Sequence, residues 1–225
     1  MTDIFETAAL GEYQKASAQI TKLKDAPAAL GKSYERYDNL IAKAFDESPS
    51  KPACKAGCAF CCHYKVEVRA HEMLLIKQFM KKTFSVEKIQ SILTAAEANT
   101  AVIRSITPEQ HLTTNIKCPL LDNNQCSIYP VRPFRCRNFH STDALACEQS
   151  FNDPGNMDIA VGMIEDVAML ADALTQGFEA AAGRTGKDNR VYDFTTAFIE
   201  VFSDDDTLKR YQRGKKTFRA ALEVL

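Results

Sequence analysis

The longest helical pattern of apolar residues lies in the second half of the chain. From about residue 157 to residue 182, apolar side chains recur every three or four positions. They are Ile159, Met163, Val167, Leu170, Leu174, Phe178 and Ala181. This spacing puts them on one face of a helix. The pattern therefore predicts a helix over 157–182 with one buried face, closed by Gly183 and Gly186.

Shorter patterns predict further helices on both sides of this one. Asp25 and Pro27 suit the start of a helix, and Ser85 suits the N-cap of another. Thr107-Pro108-Glu109 marks a further turn or helix start. The other predicted helices are 3–24, 27–47, 70–82, 85–106, 191–203 and 206–225. Since no long runs of buried strand occur, the expected fold class is mainly α.

The middle of the chain lacks helical periodicity. In 118–139, Asn123-Asn124 lies between two short apolar pieces, and three prolines interrupt the segment. Such a segment forms a loop or a hairpin. Tyr64–Val68 alternates as a short strand would. We therefore expect a single helical domain over 1–225. Its irregular cysteine-rich metal-binding region, 52–150, would hold at most a small β-hairpin between the flanking helical parts, 1–48 and 157–225.

Composition and charge narrow the classes of function. Hydrophobic residues make up 45% of 225, so the core is large enough to fold without cross-links. The net charge is -1, from 28 basic and 29 acidic residues, so no nucleic-acid partner is expected. The N-terminus lacks the apolar run of a secretory signal, and no segment approaches a membrane span of about 18 apolar residues. We expect a cytoplasmic protein without a membrane partner.

The eight cysteines all fall between Cys54 and Cys147. The first cluster is Cys54-Lys-Ala-Gly-Cys58-Ala-Phe-Cys61-Cys62, in which thiolates two or three residues apart can turn onto one cation. Adjacent Cys61 and Cys62 are harder to aim at one ion, so one of them is expected to serve a second metal, a bridge or redox chemistry. Disulfides are the alternative, but they are rare in a reducing cytoplasm.

The second cluster consists of Cys118, Cys126, Cys136 and Cys147. These wide spacings suit a looped chain that returns several times to a common centre. The sequence therefore predicts that at least one of Cys118, Cys126 and Cys136 joins the first cluster. Within the first cluster, the sulfurs of Cys54, Cys58 and at least one of Cys61 and Cys62 are expected within a few ångströms of one point. Eight thiols could form two four-cysteine sites, although the sequence does not assign the partners.

The cysteine motifs also resemble known proteins. Cys54-x3-Cys58-x2-Cys61 has the spacing of radical S-adenosylmethionine enzymes, but this chain lacks their repeated strand–helix pattern. The segments CKAGCAFCC and CPLLDNNQCSIYPVRPFRCR resemble the CxxxCxxCC, or YkgJ, family of zinc- or iron-chelating domains over roughly 54–147. The resemblance implies no reaction, and Cys147 fits the pattern less tightly. It implies that the following residues are metal ligands or their near neighbours: Cys54, Cys58, Cys61, Cys62, Cys118, Cys126 and Cys136.

Several other side chains lie near the cysteines in the sequence. Arg132, Arg135 and Arg137 flank Cys136, and they could donate hydrogen bonds to thiolates or receive an anionic ligand. His63 and His140 could complete a site but are not expected as primary ligands. The remaining expectations are a surface or helix-start position for His71 and His111, a turn role for Asp122, and packing over the metal loop by Tyr129 and Phe134.

Three functional hypotheses follow from these observations. The first is a protein that chelates Zn²⁺, with the metal structural or carried. The second is a redox protein or enzyme with mononuclear iron or a four-iron–four-sulfur (4Fe-4S) cluster, since three close thiolates and a distant fourth can hold one. The third is a helical interaction protein with structural zinc and an unidentified protein partner. The sequence leaves catalytic activity undecided.

Overall fold

The computed structural model describes residues 2–23 and 25–224, without the side chains of Thr2 and Asp3. The helices are α1 (Thr2–Leu23), α2 (Ala26–Glu47), α3 (Ala70–Thr83), α4 (Val86–Ser105), α5 (Pro108–Leu112), α6 (Phe134–Asn138), α7 (Ala144–Asn152), α8 (Glu165–Gly183), α9 (Phe194–Ser203) and α10 (Thr207–Gln212). Two 3₁₀ turns cover Phe60–His63 and Tyr129–Val131. The strands are β1 (Glu67–Arg69), β2 (Leu121–Asp122), β3 (Gln125–Cys126) and β4 (Val191–Asp193). The mainly α class is confirmed.

Two small antiparallel sheets join parts of the chain. Strands β2 and β3 form the hairpin expected at Asn123-Asn124, where both asparagines have positive φ angles of 48° and 57°. Two such residues form a turn whose twist matches that of the hairpin strands. The second sheet pairs β1 with β4, in the register Val68 to Tyr192. It connects the segment that follows the first cysteine cluster to the start of α9.

The start of α8 differs from the prediction. The helix begins at Glu165 rather than at residue 157, and Met163 lies outside it with 45% of its surface exposed. The predicted burial of Met163 is therefore wrong, whereas Val167 and Leu174 are buried as expected. The reason is that the preceding segment bonds to distant residues: Ile164 N–H donates to His140 Nε2 at 2.9 Å. These groups are not available to a helix.

The C-terminal segment also departs from its predicted helix. Helix α10 ends at Gln212, and Gly214 has a left-handed φ of 66°. Beyond it, the buried carboxylate of Glu200 accepts the backbone N–H groups of residues 219, 220 and 221. These donors are satisfied by a side chain, so the segment stays irregular while remaining fixed to α9.

Helices α1 and α8 pack closely at Gly177, which has no side chain to separate them. A β-carbon at Gly177 would overlap the carbonyl oxygen of Ala9 and would lie 3.0 Å from Glu12 Cβ. Buried alanines on both helices, Ala16 and Ala173 among them, continue the same small-residue contact. The close approach therefore depends on the absence of a side chain at position 177.

Gly177→Ala should lower the free energy of unfolding by about 1–3 kcal/mol, because the added methyl has backbone rather than a flexible side chain in its way. Gly11→Ala is the matched control, since Gly11 lies in α1 with no atom within 4 Å of its would-be β-carbon. That control should raise stability by about 0.5–1 kcal/mol through helix propensity. Urea unfolding measures both, and equal effects would contradict the close-packing account.

His71 is buried rather than at the surface. Only 1% of the residue is exposed, neither ring nitrogen has a hydrogen-bond partner, and the ring meets Phe178 edge-on at 5.4 Å. Burial, reinforced by the nearby charge of Arg69, lowers the pKa of His71 from 6.5 to about 3. The folded protein therefore keeps this imidazole neutral.

His71→Leu should reduce the acid sensitivity of the fold. Because the folded pKa is depressed, the unfolded chain takes up a proton first. The stabilisation is full above pH 6.5 and is lost as the pH falls toward 3. Between these pH values, the free energy of unfolding contributed by His71 falls by up to roughly 1.4 kcal/mol per pH unit. Urea unfolding at several pH values should show a shallower decline in the variant. Met73→Leu, a neighbouring buried substitution without a titratable group, should keep the wild-type slope. Equal slopes in all three proteins would exclude His71 as the cause.

Candidate metal centre

The first cysteine cluster lies in a loop followed by a 3₁₀ turn. Gly57 takes a left-handed φ of 88°, and Cys58 N–H donates to the carbonyl of Lys55 at 3.0 Å. Cys61 and Cys62 lie inside the turn Phe60–His63. These tight turns need little chain, so they keep the four cysteines of this cluster in one short loop.

The second cluster folds back onto the first. Cys118 N–H donates to the carbonyl of Cys62 at 2.8 Å, which places the two backbones side by side. Leu121 N–H then donates to the carbonyl of Cys118 at 3.0 Å, and Leu121 pairs with Cys126 across the hairpin. The hairpin thereby brings Cys118 and Cys126 to the turn that carries Cys62.

Helix α6 supplies Cys136, and a buried carboxylate fixes its start. Phe134 N–H donates to Glu72 Oε1 at 2.9 Å, while Arg69 N–H donates to Glu72 Oε2 at 2.9 Å. Tyr34 on α2 donates its hydroxyl to the same carboxylate at 3.1 Å. The position of Cys136 is therefore set by the helical scaffold rather than by the loops around it.

Four thiols form what we call the inner group: Cys62, Cys118, Cys126 and Cys136. Burial, together with the nearby Cys126 and Cys62, raises the pKa of Cys118 to about 12. Burial likewise raises the pKa of Cys136, with Cys118, Cys126 and Cys62 acting in the same direction. The pKa of Cys126 is raised by burial and by Cys62. Every pair within the inner group is thus close enough to interact electrostatically.

The other four cysteines, which we call the outer group, are Cys54, Cys58, Cys61 and Cys147. Burial raises the pKa of Cys54, and Cys58 and Cys147 add to the effect. Cys147 is buried on the short helix α7. Cys61 lies between the groups, because its thiol interacts with Cys62 and Cys136 as well as with Cys54.

The adjacent thiols of Cys61 and Cys62 shift each other's pKa in opposite directions. The interaction with Cys61 lowers the pKa of Cys62 to about 7, and the interaction with Cys62 raises the pKa of Cys61. The positive charge of Arg132 also lowers the pKa of Cys62, against the effect of burial. Within the pair, Cys62 is therefore the better anionic ligand.

The three arginines near Cys136 take different positions. Arg132 stacks on the Tyr129 ring at 3.7 Å, and its charge lowers the pKa of both Cys62 and Cys126. Arg137 is buried, and it donates to Asp38 and to the carbonyls of residues 130 and 132. Arg135 is exposed and lines a cavity of 180 Å³ together with Glu72. Arg132 is therefore the arginine whose charge acts on the inner group most directly.

The two aromatic side chains expected to cover the metal loop behave differently. Tyr129 is 60% exposed, so the prediction that it excludes water from the site is wrong. Its ring is held at the surface by Arg132 instead. Phe134 is buried, and it contacts Tyr34 at 4.9 Å and Phe178 at 6.0 Å. Phe134 thus belongs to the helical core beneath the cysteine region.

The histidines and Asp122 have structural partners. His140 Nε2 accepts the Ile164 N–H, and His63 Nδ1 lies 3.1 Å from the carbonyl of Ala59. His111 is buried, with 7% exposed, so the surface alternative is wrong, and it lies within the short helix α5 that begins at Pro108. Asp122 is exposed in the hairpin and accepts from Asn123 Nδ2 at 3.0 Å, in agreement with its expected turn role.

The donor chemistry of the cysteine region suits a thiophilic metal. All eight cysteines are free thiols. Within residues 2–23 and 25–224, no three cysteine, histidine or acidic side chains stand in ligating positions around a common centre. The predicted gathering of the first-cluster sulfurs within a few ångströms is therefore not observed.

A helical scaffold that gathers eight free thiols into one region defines a cysteine-rich protein with the donor atoms of a metal site. Residues 53–156, just under half of the chain, match the family model CxxCxxCC, described as "Putative zinc- or iron-chelating domain". This match confirms the resemblance expected from the cysteine motifs, includes Cys147, and supports metal binding in general. No curated protein and no solved structure matches the chain. Among the helices described, none is long and apolar enough to cross a membrane.

Glu72→Gln should loosen α6 and lower the free energy of unfolding by about 1–3 kcal/mol, because an amide nitrogen would face a backbone N–H donor. Glu67→Gln is the control, since Glu67 lines the same cavity but is partly exposed and pairs with Lys65 at 3.6 Å. Hydrogen exchange of residues 134–138 should rise in the first variant alone. Unchanged exchange there would show that Glu72 does not hold the helix that carries Cys136.

Proposed function

We propose that this protein chelates zinc through the thiolates of Cys62, Cys118, Cys126 and Cys136. The observation that carries the proposal is the meeting of these four thiols, which come from three separate segments and interact in every pair. Four cysteine thiolates around one ion are the usual ligand set of a structural zinc site. Nothing in such a set leaves a coordination position open for a substrate.

The charge around the inner group supports this assignment. Four thiolates around a divalent cation leave an excess of two negative charges, which nearby cations must offset. Arg132 lies close enough to lower the pKa of two of the four thiols. Arg137 holds the backbone of residues 130 and 132 in place, and thereby positions Arg132. Arg135 is too exposed to contribute as much, and it would serve an anionic ligand at the rim.

Metal binding would also explain how the loops stay ordered. Residues 52–66 and 116–150 contain no long helix. Ordering the backbone of such loops costs roughly 1–2 kcal/mol of conformational entropy per residue. Structural zinc contributes on the order of 10 kcal/mol in small zinc-binding peptides. The proposed role of the metal is therefore to order the cysteine region on a scaffold whose helices pack without metal. The proposed location is a reducing compartment such as the cytoplasm, where thiols stay free.

Iron is the alternative occupant of the inner group. Tetrahedral sets of four sulfurs hold iron–sulfur clusters as well as zinc. The two metals differ in colour, since zinc absorbs no visible light and iron–sulfur clusters do. The test therefore needs protein purified without oxygen, so that iron is neither lost nor replaced.

Cys136→Ser should release the tightly bound zinc, because it removes one of four thiolates. Protein purified without oxygen would be analysed for zinc, iron and sulfide and by visible absorption. Cys147→Ser, outside the inner group, is the matched control and should keep that ion. Binding of zinc releases protons from thiols, so the tightly bound ion should be lost as the pH falls.

Hydrogen exchange, measured before and after a chelator removes the metal, gives a second test of the same proposal. Removal of metal should increase exchange in 52–66 and 116–150 while most of α1, α2, α8 and α9 stays protected. Loops that remain equally protected without metal would contradict the proposed organising role. A protein that contains no metal under any of these conditions would contradict chelation itself.

A further inference from the structure

The outer group is left over once the inner group has its four ligands. Cys54, Cys58 and Cys61 belong to one loop, while Cys147 lies more than eighty residues later in the chain, on α7. Such distant thiols meet only if the structure holds their two segments together. Contacts of three kinds do so: backbone hydrogen bonds, a hydrogen bond to sulfur and aromatic packing.

The loop of Cys54 is attached to the segment that starts α7. Ala53 N–H donates to the carbonyl of Ser141 at 2.7 Å, and Ser141 N–H donates to Cys54 Sγ at 3.4 Å. Two residues later, Asp143 caps α7 by accepting the N–H groups of residues 145 and 146. Cys147 follows within the next turn, with its N–H bonded to the carbonyl of Asp143 at 3.3 Å. Cys147 is thus held beside the Cys54 loop.

Aromatic packing joins α7 to the turn that contains Cys61. Phe151 of α7 contacts the rings of Phe60 and His63, with centroids 5.6 Å and 4.9 Å apart. Tyr64 donates its hydroxyl to Ser150 at 3.3 Å. The helix with Cys147 therefore lies against the 3₁₀ turn as well as against the Cys54 loop.

The outer group contains the one exposed cysteine, Cys54. Its Cys58 and Cys61 are partly buried, as all four inner cysteines are, and Cys147 is buried. Lys55 beside Cys54 is also exposed. A ligand such as Cys54 can be approached from solvent, so a competing chelator can reach an ion held there without prior opening of the fold.

We infer that Cys54, Cys58, Cys61 and Cys147 form a second site, for a thiophilic divalent cation such as zinc, whose ion exchanges with solvent faster than the inner ion. The inference rests on the proposed function, since it divides the same eight thiols between two sites. It assigns the adjacent Cys61 and Cys62 to different ions. In an exchange step, an incoming thiol binds the ion as thiolate, and the released Cys54 thiolate takes up the proton that the incoming thiol loses.

The test uses the full chain, loaded with zinc and freed of unbound metal. A chromogenic chelator should remove zinc in two phases from the wild type, one fast and one slow, of one equivalent each. Cys54→Ser should lose the fast phase and bind one equivalent instead of two. Because Cys54 is exposed, this change should leave the far-ultraviolet circular dichroism unchanged. Lys55→Ser, an exposed substitution in the same loop, should retain both equivalents.

Cys147→Ser gives an independent check, since it removes a ligand from a different segment and should also abolish the fast phase. One equivalent of zinc in the wild type, or two in Cys54→Ser, would overturn the second site while leaving the inner site intact. If the wild type contained iron and sulfide that Cys54→Ser lacks, the assignment of the second site to a single divalent ion would be overturned. Absence of any bound zinc would instead refute the proposed function.

Discussion

The buried carboxylate of Glu72 connects the helical scaffold to the cysteine region. It accepts the N–H of Arg69 at the N-cap of α3, the N–H of Phe134 at the start of α6, and the hydroxyl of Tyr34 on α2. A carboxylate that is 4% exposed is costly unless its oxygens have donors. These three elements must therefore stay together. Because α6 carries Cys136, the helical scaffold determines the position of this member of the inner group.

This arrangement divides the molecule into parts with different sources of order. The helices around Gly177 and His71 are held by close packing and by burial, which need no metal. The loops with most of the cysteines contain little helix, and backbone hydrogen bonds such as that between Cys118 and Cys62 add to the core packing of Leu120 and Ile128. A metal bound by the thiols would add a further constraint on these loops.

Local signals in the sequence were sufficient for several elements. Ser85 caps α4 by accepting the N–H of Lys88, and Thr107 forms a capping box with Gln110. The two asparagines of the hairpin adopt the left-handed conformation that their position requires. Each of these features depends on residues within four positions of one another, so the pattern of the sequence is enough to predict it.

Elements that depend on distant partners could not be predicted in this way. Residues 157–164 have an apolar helical pattern, yet the backbone of Ile164 bonds to His140. The segment after Gln212 is fixed by Glu200. In the same way, the clustering of all eight cysteines was predictable from their positions. Their division into two groups was not, because it follows from the contact between Cys118 and Cys62 and from the packing of Phe151 on α7.

The proposed two sites would differ in electrostatic terms as well as in exposure. A divalent ion with four thiolates carries two excess negative charges, so two such sites joined through Cys61 and Cys62 repel each other. Arg132 lowers the pKa of Cys62 and Cys126 and thus offsets the charge of the inner site. The outer site has exposed Lys55 instead, whose charge is screened by water. The repulsion would therefore weaken the outer ion more than the inner one, which gives the accessible site the lower affinity that metal exchange requires.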